Sequence, residues 1–306
     1  MDDVTTLGDP HLGRKFKTGV PLHRVGEREE MQWRDFCESL TEVDTQFHVN
    51  MGDLFDTRIV SPEIVLAAAN AYIQAAELNP ATTYVVLIGN HDMSRDADRA
   101  SSFDLFEALV SRISNIIVVR DRPRVLNRYG FVPYSLFQPT EELVAELPDQ
   151  LDAVFGHWDI VDHGGHNVIP TKLLAAKNIT TAVSGHDHLP RQEKRHGVDI
   201  TVTGSMQPYT HAEDDTGWLY VTTTLDELEK FDTTNLNVRV LLKEGETLPE
   251  NVDCLSLTAK RVTDEDEDGV EIDTSEFESL DLRSLLGGAL EGLSCKDRLL
   301  EEFSNA

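Results

Sequence analysis

Five predicted β-strands in this chain each end at a glycine that is followed at once by aspartate, asparagine or histidine. The five corners are Gly8-Asp9, Gly52-Asp53, Gly89-Asn90, Gly156-His157 and Gly185-His186. The strand before the third corner, residues 84–88, is apolar along its length, which is typical of a buried strand. In open α/β sheets, ligands bind at the carboxyl ends of the strands, where side chains on rigid elements converge. The repeated corner therefore predicts a sheet with a binding site along its carboxyl edge.

Helical stretches separate the early strands. They lie at residues 29–40, 61–78 and 103–113. Strands that alternate with helices predict a layered α/β fold with several parallel strands. After residue 190 the pattern becomes β-like, at residues 198–203, 218–223 and 237–242. We expect these last stretches to be the closing strands of the second sheet.

The composition limits the partners and the compartment. The formal net charge of −28 argues against a protein that binds nucleic acid through a broad basic surface. We find no apolar run of 18 residues and no signal-peptide pattern, so we expect a cytoplasmic protein without a membrane partner. The three cysteines are widely spaced and predict neither disulfides nor a thiolate zinc site.

The C-terminal part of the chain changes character at an acidic run. Residues 264–268 read DEDED, which is typical of a solvated linker. Apolar residues then recur at helical spacing between Phe277 and Phe303, with Gly287-Gly288 dividing them into two short helices. These helices dock either on the body of the protein or on a partner. We therefore predict four segments: a main domain at 1–225, a closing β segment at 226–263, an acidic linker at 264–276 and a docking segment at 277–306.

Seven potential metal ligands follow the five strands. They are Asp9, His11, Asp53, Asn90, His157, His186 and His188. Carboxylate, amide and imidazole groups together suit Mn²⁺, Fe²⁺ or Zn²⁺ better than Ca²⁺, and the absence of a thiolate argues against a structural zinc site. Seven ligands exceed what one ion with open positions needs, so the set predicts two ions that share a bridging carboxylate.

The ordered corners resemble the calcineurin-like metallophosphoesterase superfamily over roughly residues 1–225. The resemblance implies a four-layer α/β/β/α sandwich, here with a small C-terminal appendage, and a dinuclear site. It also implies that His91 is the acid near the scissile phosphate. The implied first ion is held by Asp9, His11 and His188, the second by Asn90, His157 and His186, and both by Asp53.

Three further stretches resemble SbcD-type DNA-repair nucleases and phage recombination endonuclease subunits. They are HLGRKF at residues 11–16, GDLFDT at 52–57 and GSMQPYTHAEDDTGW at 204–218. Met206 departs from the usual Gly-Ser-Pro, and the DNA-binding cap domain is reduced. The length of the chain and its short C-terminal helices resemble a phage protein.

This second resemblance implies an exonuclease and single-strand endonuclease with two Mn²⁺ ions, or alternatively Mg²⁺. It further implies a homodimer and an SbcC-type coiled-coil ATPase partner, for which the C-terminal helices are the candidate docking element. Alternative functions are a small-molecule phosphodiesterase or phosphoprotein phosphatase on the same site, and a catalytically idle scaffold.

Two auxiliary roles complete the hypothesis. Asp56 lies three residues after Asp53 and is expected to orient His91 and raise its pKa, with a turn cap as the alternative. Because DNA would need local positive charge on an acidic protein, basic residues near the corners are expected to form a collar around the metals. The candidates for DNA binding are Arg14, Lys15, Arg58, Arg95 and Arg191.

Overall fold

The first sheet of the protein is wholly parallel. The computed structural model describes residues 3–93, 99–162, 164–230, 232–249 and 251–262. The strands run in chain order across the sheet: β1 (Val4–Leu7), β2 (Phe47–Asn50), β3 (Thr83–Leu87) and β4 (Ile116–Val119). The connections contain three helices: α1 (Glu27–Thr41), α2 (Pro62–Leu78) and α3 (Ser102–Val110). Parallel neighbours place all four carboxyl ends at one edge.

The second sheet has a parallel centre and antiparallel edges. Its strands are β5 (Arg124–Leu126), β6 (Tyr129–Val132), β7 (Ala153–His157), β8 (Thr181–Gly185), β9 (Arg191–Arg195) and β10 (Val198–Val202). The order across the sheet is β5-β6-β7-β8-β10-β9, with β6, β7, β8 and β10 parallel. Two short helices accompany it: α4 (Thr140–Ala145) and α5 (Thr171–Ala176).

The two sheets face each other across an apolar layer. Alternate residues of β3 point to opposite sides, so Val85 packs between the sheets with Phe155, whereas Val86 packs against the helices with Phe36. The rings of Phe131 and Phe155 stack at 5.2 Å in this central layer. The outer face of the second sheet packs against α4 and α5 through a separate core. The predicted four-layer α/β/β/α sandwich is confirmed.

A third sheet corrects one expectation. The strands β11 (Tyr220–Thr224), β12 (Asn237–Leu242) and β13 (Ser256–Arg261) form a sheet of their own, with a one-turn helix α6 (Leu225–Leu228) after β11. Only the first β-like stretch closes the second sheet, as β10. The other two do not, because the charged strand β9 pairs with β10 and covers the edge that they would have needed. The third sheet spans the predicted boundary at residue 225.

The chain divides into two compact units. Met1–Leu242 and Thr247–Lys260 form the first, and Lys243–Glu246 with Arg261–Ala306 form the second. The predicted acidic linker and docking helices lie outside the described residues. Among the helices that the structure describes, none has the length and apolar character to cross a membrane.

His48 in β2 provides a test of the fold that is independent of function. It is buried, its Nδ1 is hydrogen-bonded to Thr5 at 2.9 Å, and its Nε2 has no partner among the described residues. Burial lowers the pKa of His48 to about 4. The unfolded chain takes up this proton near pH 6.5, so acid favours unfolding, and we expect a loss of about 3 kcal/mol between pH 6.5 and 4.

The measurement is urea unfolding at pH 7 and pH 4.5 in EDTA, which removes metal affinity as a source of pH dependence. His48→Gln should lose less stability than the wild type over this interval, because it has no imidazole to protonate. His23→Gln changes an exposed histidine and should follow the wild type. Parallel pH profiles for wild type and His48→Gln would contradict the assignment.

Candidate metal centre

All seven predicted ligands follow or end strands whose carboxyl ends meet. Four come from the first sheet, after β1, β2 and β3, and three come from the second sheet, at the end of β7 and after β8. A parallel bridge between Asp9 and Ser205 joins the first corner to the segment after β10. The structure therefore brings together residues that are up to 179 positions apart in the chain, from Asp9 to His188.

The backbone at these corners is unusual. His11, Asp53 and His186 have positive φ values of 47°, 48° and 77°. Non-glycine residues adopt this left-handed region at a cost, and such residues cluster at functional sites. The corner glycines are needed for close approach, since a Cβ on Gly52 would lie 2.4 Å from the Nδ1 atom of His157. The sharp turns thus present ligand side chains from a densely packed edge.

Two ligand sets lie side by side. In the first, ligand atoms of Asp9, His11 and His188 lie within 4.8 Å of one another, with the two imidazole Nε2 atoms 3.0 Å apart. In the second, ligand atoms of Asp53, His157 and His186 satisfy the same limit. The amide oxygen of Asn90 joins the second set, at 2.9 Å from both His157 Nε2 and His186 Nδ1.

Asp53 lies between the two sets. Its Oδ2 atom is 3.9 Å from His11 Nε2 and 3.4 Å from His157 Nε2. Its Oδ1 atom accepts a hydrogen bond from the backbone N–H of His91 at 2.8 Å. One carboxylate oxygen therefore faces a nitrogen ligand from each set, which is the position that a bridging ligand requires.

The donor chemistry fits divalent cations. His157 donates Nδ1–H to the carbonyl of Met51 at 2.9 Å, and its Nε2 lies 2.9 Å from the oxygen of Asn90, so this nitrogen needs either a proton or a cation between itself and that acceptor. Burial lowers the pKa of His157, but Asp53 and Asp9 outweigh it and raise the pKa to about 10. Asp9 Oδ1 is a buried acceptor without a hydrogen bond among the described residues. The site requires positive charge, and metal cations held by these ligands would supply it.

Three of the imidazole rings are held by a contact to the ring nitrogen that faces away from the other ligand atoms. Besides the Met51 carbonyl at His157, Asp159 contacts His186 Nε2 at 2.8 Å and Glu213 contacts His188 Nδ1 at 3.2 Å. Such outer partners set the tautomer and the ring orientation of metal-binding histidines. Sequence reasoning missed both carboxylates. The available signals were the position of Asp159, two residues after His157, and that of Glu213 inside the 204–218 stretch.

We expect Glu213→Gln and Asp159→Asn each to weaken metal binding about 10- to 100-fold, because the imidazole loses the partner that orients it. Isothermal titration with Mn²⁺ measures the affinity directly. Glu227→Gln, an exposed residue of α6, provides the matched control and should bind like the wild type. Unchanged affinity in both variants would show that the histidines are oriented by packing alone.

Asp56 takes a different role from the one predicted. Its backbone carbonyl, not its carboxylate, contacts His91 Nδ1 at 2.6 Å. The carboxylate instead pairs with Arg14 at 3.2 Å and lies 3.8 Å from His11 Nδ1. The expected carboxylate–imidazole pair is therefore wrong, because the loop after β1 brings Arg14 to the Asp56 carboxylate. His91 is still oriented by residue 56, through the main chain.

Asp92 is a buried residue for which the sequence suggested no role. Its carboxylate accepts backbone hydrogen bonds from Leu54 and Phe55 in the second corner and from Gly89 in the third, at 3.2, 3.0 and 3.0 Å. Burial and the nearby charge of Asp53 raise the pKa of Asp92 to about 8. The side chain thereby ties together the two corners that carry Asp53 and Asn90.

The predicted collar is only partly assembled. Arg14 lies beside the centre through Asp56, and Lys15 is exposed on the same loop. Arg191 pairs with Asp187 at 2.7 Å and with Glu193 at 2.8 Å. The backbone of Arg58 accepts a hydrogen bond from Ser102, and Arg95 lies outside the described residues.

An open cleft of about 360 Å³ covers the centre, and its lining includes Asp53, Asn90, His91, Asp159, His186 and His188.

Comparison with known proteins gives a family match. The family model described as calcineurin-like phosphoesterase matches residues 3–190. Two solved structures are similar to this chain at low identity. Phosphopantetheinyl hydrolase from Mycobacterium tuberculosis is 12% identical, with a TM-score of 0.40, over 67% of this chain and 93% of that chain. GAP50, the anchor in the inner membrane complex of Plasmodium, is 14% identical, with a TM-score of 0.39, over 67% and 71%. No curated protein matches the chain.

Proposed function

Because the chain belongs to the calcineurin-like phosphoesterase family, we propose that it hydrolyses phosphodiester bonds in DNA, as an exonuclease and single-strand endonuclease. Membership in the family implies a hydrolase that uses two divalent metal ions. The candidate ligand groups for them are present. We propose Mn²⁺ as the metal, with Mg²⁺ as the alternative, because the donors are oxygen and imidazole nitrogen.

One observation supports DNA as the substrate. The three stretches that resemble SbcD-type nucleases are far apart in the chain but meet at the metal centre. Arg14 of the first pairs with Asp56 of the second at 3.2 Å. Tyr209 of the third donates its hydroxyl to the Asp9 carbonyl at 3.1 Å, and its ring lies 5.3 Å from His11. The stretches that resemble SbcD-type nucleases thus contribute side chains beside the proposed reaction site, which supports the proposal.

The chemistry divides between the ions and the side chains. When bound, the two ions would polarise the phosphate and activate water for in-line attack. His91 lines the cleft, with Nδ1 held by the Asp56 carbonyl, and its Nε2 has no hydrogen-bond partner among the described residues. That nitrogen is placed to hold the proton that the leaving 3′ oxygen needs. Asp53 and Asn90 would hold the ions, and the hydrogen bonds of Asp92 to Phe55 and Gly89 fix the two corners relative to each other.

The assay is cleavage of end-labelled single- and double-stranded DNA with Mn²⁺, beside p-nitrophenyl phosphate esters. We expect cleavage by the wild type and a loss of about 10²- to 10⁴-fold in His91→Ala, the range that one general acid contributes. His23→Ala changes an exposed histidine that belongs to none of the five corners and does not line the cleft, and it should cleave normally. Ester turnover with intact DNA would refute the nuclease and retain the hydrolase.

The partners belong to the same proposal. We propose a homodimer in the cytoplasm, or in the host cytoplasm if the protein is phage-encoded, that joins an SbcC-type coiled-coil ATPase through residues 277–306. The ATPase would supply duplex affinity that a chain of net charge −28 lacks. Deletion of residues 264–306 should preserve cleavage of short single strands and abolish co-purification with the ATPase. Continued co-purification of the truncated chain would refute this docking site.

A small-molecule phosphodiesterase or a phosphoprotein phosphatase is the second candidate. The observation in its favour is charge, since the described cation Arg191 near the cleft is neutralised by two carboxylates. A cleft of about 360 Å³ also accommodates a small substrate without extended contacts. The comparison of ester and DNA substrates separates the two candidates.

A further inference from the structure

A second cavity of about 260 Å³ lies in the first compact unit and is lined by cations. One wall is the loop after β1, which contributes Arg14, Lys15 and Lys17, and the opposite wall is the third sheet, which contributes Arg239. None of the described lining residues is aspartate or glutamate. Acidic residues outnumber basic ones by 55 to 27 in this chain, so a cavity with four cations and no carboxylate has the opposite charge to its surroundings.

Among the described residues, three of these cations have no carboxylate partner: Lys15, Lys17 and Arg239. By contrast, Arg24 and Arg128 each lie within 2.7 Å of a carboxylate oxygen. Unpaired like charges repel one another, and concave surfaces concentrate their field. Such an arrangement favours a polyvalent anion over a neutral ligand.

The cavity shares a wall with the metal centre. Tyr209 is buried between them and lies 5.3 Å from the His11 ring. On the cavity side, the guanidinium of Arg14 lies over the Tyr209 ring at 4.9 Å, and the Phe16 ring stacks on it at 6.3 Å. A ligand in the cavity is therefore separated from the metal ligands by the thickness of one aromatic side chain.

The remaining lining adds little besides the cations. Thr210 contributes a hydroxyl, whereas the hydroxyls of Ser256 and Thr258 donate to Asn237 Oδ1 and to the Val238 carbonyl. The Phe16 ring lies between Tyr209 and the guanidinium of Arg28. Charged donors bind phosphate oxygens, so the cavity favours a phosphate group, and its place beside the metal centre favours a phosphate of the substrate.

We propose that this basic cavity binds a second phosphate of the substrate, on the nucleotide next to the bond that is cleaved. The inference rests on the proposed phosphodiesterase function and names its substrate class, a strand with more than one phosphate. It also accounts for local DNA binding on an acidic protein, because positive charge is needed only along a short length of strand beside the centre.

The test compares substrates that differ in phosphate count. Arg239→Gln removes one cation from the third sheet and touches no metal ligand. Its kcat/KM should stay within about 2-fold of the wild type on bis(p-nitrophenyl) phosphate and on the dinucleotide TpT, which carry one phosphate. It should fall about 10-fold or more on pTpT and on single-stranded oligothymidylate. Arg124→Gln removes an exposed arginine of β5 and should match the wild type on all four substrates.

The salt dependence of oligonucleotide binding gives an independent test. Binding of oligothymidylate in EDTA, followed by fluorescence anisotropy, should weaken in Arg239→Gln, and the slope of log affinity against log salt should decrease by about one. Equal losses on one-phosphate and several-phosphate substrates would show a structural role and overturn the proposal, as would no loss on any of them.

The outcome stays informative if the wild type does not cleave DNA. The proposed function then fails. The cavity is tested instead by measuring how strongly inorganic pyrophosphate inhibits the turnover of bis(p-nitrophenyl) phosphate. Weaker inhibition of Arg239→Gln than of wild type would retain a second phosphate site for a smaller substrate. Equal inhibition of the two proteins would refute the second phosphate site as well as the nuclease function.

Discussion

Asp53→Asn is expected to lower phosphodiester hydrolysis by about 1,000-fold or more, in assays with Mn²⁺. A single carboxylate oxygen of Asp53 faces ligand nitrogens of both sets, at 3.9 Å from His11 and 3.4 Å from His157. Substitution removes the charge that both ions would share, so the loss affects the whole centre rather than one ligand position. The substituted amide would also present N–H groups where lone pairs are needed.

Stability of the metal-free protein should fall together with activity. Burial raises the pKa of Asp53, but His157 at 3.4 Å and His11 at 3.9 Å outweigh it and hold the pKa well below its usual range. Because the charged carboxylate is favoured in the folded state, its removal should lower the metal-free Tm of Asp53→Asn below that of the wild type. The rise in Tm on adding Mn²⁺ should be lost, because ligands stabilise only the state that binds them.

Asp152→Asn provides the control, since its carboxylate pairs with Arg128 at the surface. It should retain both turnover and the rise in Tm on adding Mn²⁺. An Asp53→Asn enzyme with near-normal turnover would contradict the bridging assignment. A metal-free form as stable as the wild type would show that the neighbouring histidines do not stabilise the Asp53 carboxylate before metal binds.

Gly89→Ala should lower turnover at least about 100-fold although it changes no ligand. A Cβ at this position would lie 2.2 Å from Asp53 Oδ1 and 2.3 Å from the Asp53 backbone nitrogen. Contact distances near 3.4 Å require a displacement of about 1 Å, and misplacement of this size costs about 10²-fold in catalysis. Overpacking of a buried corner typically costs 1–3 kcal/mol as well.

The measurements are kcat on p-nitrophenyl esters, Mn²⁺ affinity and Tm. Gly165→Ala makes the same chemical change where the nearest heavy atom is 3.6 Å from the added carbon, an ordinary contact. It should leave all three values near those of the wild type. If Gly89→Ala retained normal Mn²⁺ affinity and turnover, the close approach of the second and third corners would not be required for function.

The sequence predicted the elements whose signals are local. The predicted strand at residues 84–88 is β3 shifted by one residue, and the helix predicted at 103–113 is α3, which begins at a reciprocal capping box of Ser101 and Asp104. The third sheet was not predicted, because its assignment depends on which sheet edge is free. The local pattern of β11 is the same whether it pairs with β10 or with β12.

The residues of the candidate site divide in the same way, into those with a local sequence signal and those whose contacts depend on tertiary packing. The ligands could be named because each lies within three residues after a glycine at the end of one of five strands. Glu213 and Asp92 act on partners from other corners, and those distances depend on the packing of the whole sandwich. Asp56 was placed in the right neighbourhood, but its carboxylate had two possible partners. Arg14 became the partner because the loop after β1 folds back over residue 56.

The division of the ligands between the sheets, four from one and three from the other, has a mechanical consequence. Ions held by both sets would cross-link the two halves of the sandwich across their carboxyl edge, beyond the apolar layer that holds their faces together. Folding of the halves would then be coupled through the same atoms that carry the reaction. Removal of the ions by a chelator would therefore make closure of the two sheets slower and less cooperative. The lifetime of the active enzyme would then depend on metal supply as strongly as its catalytic rate does.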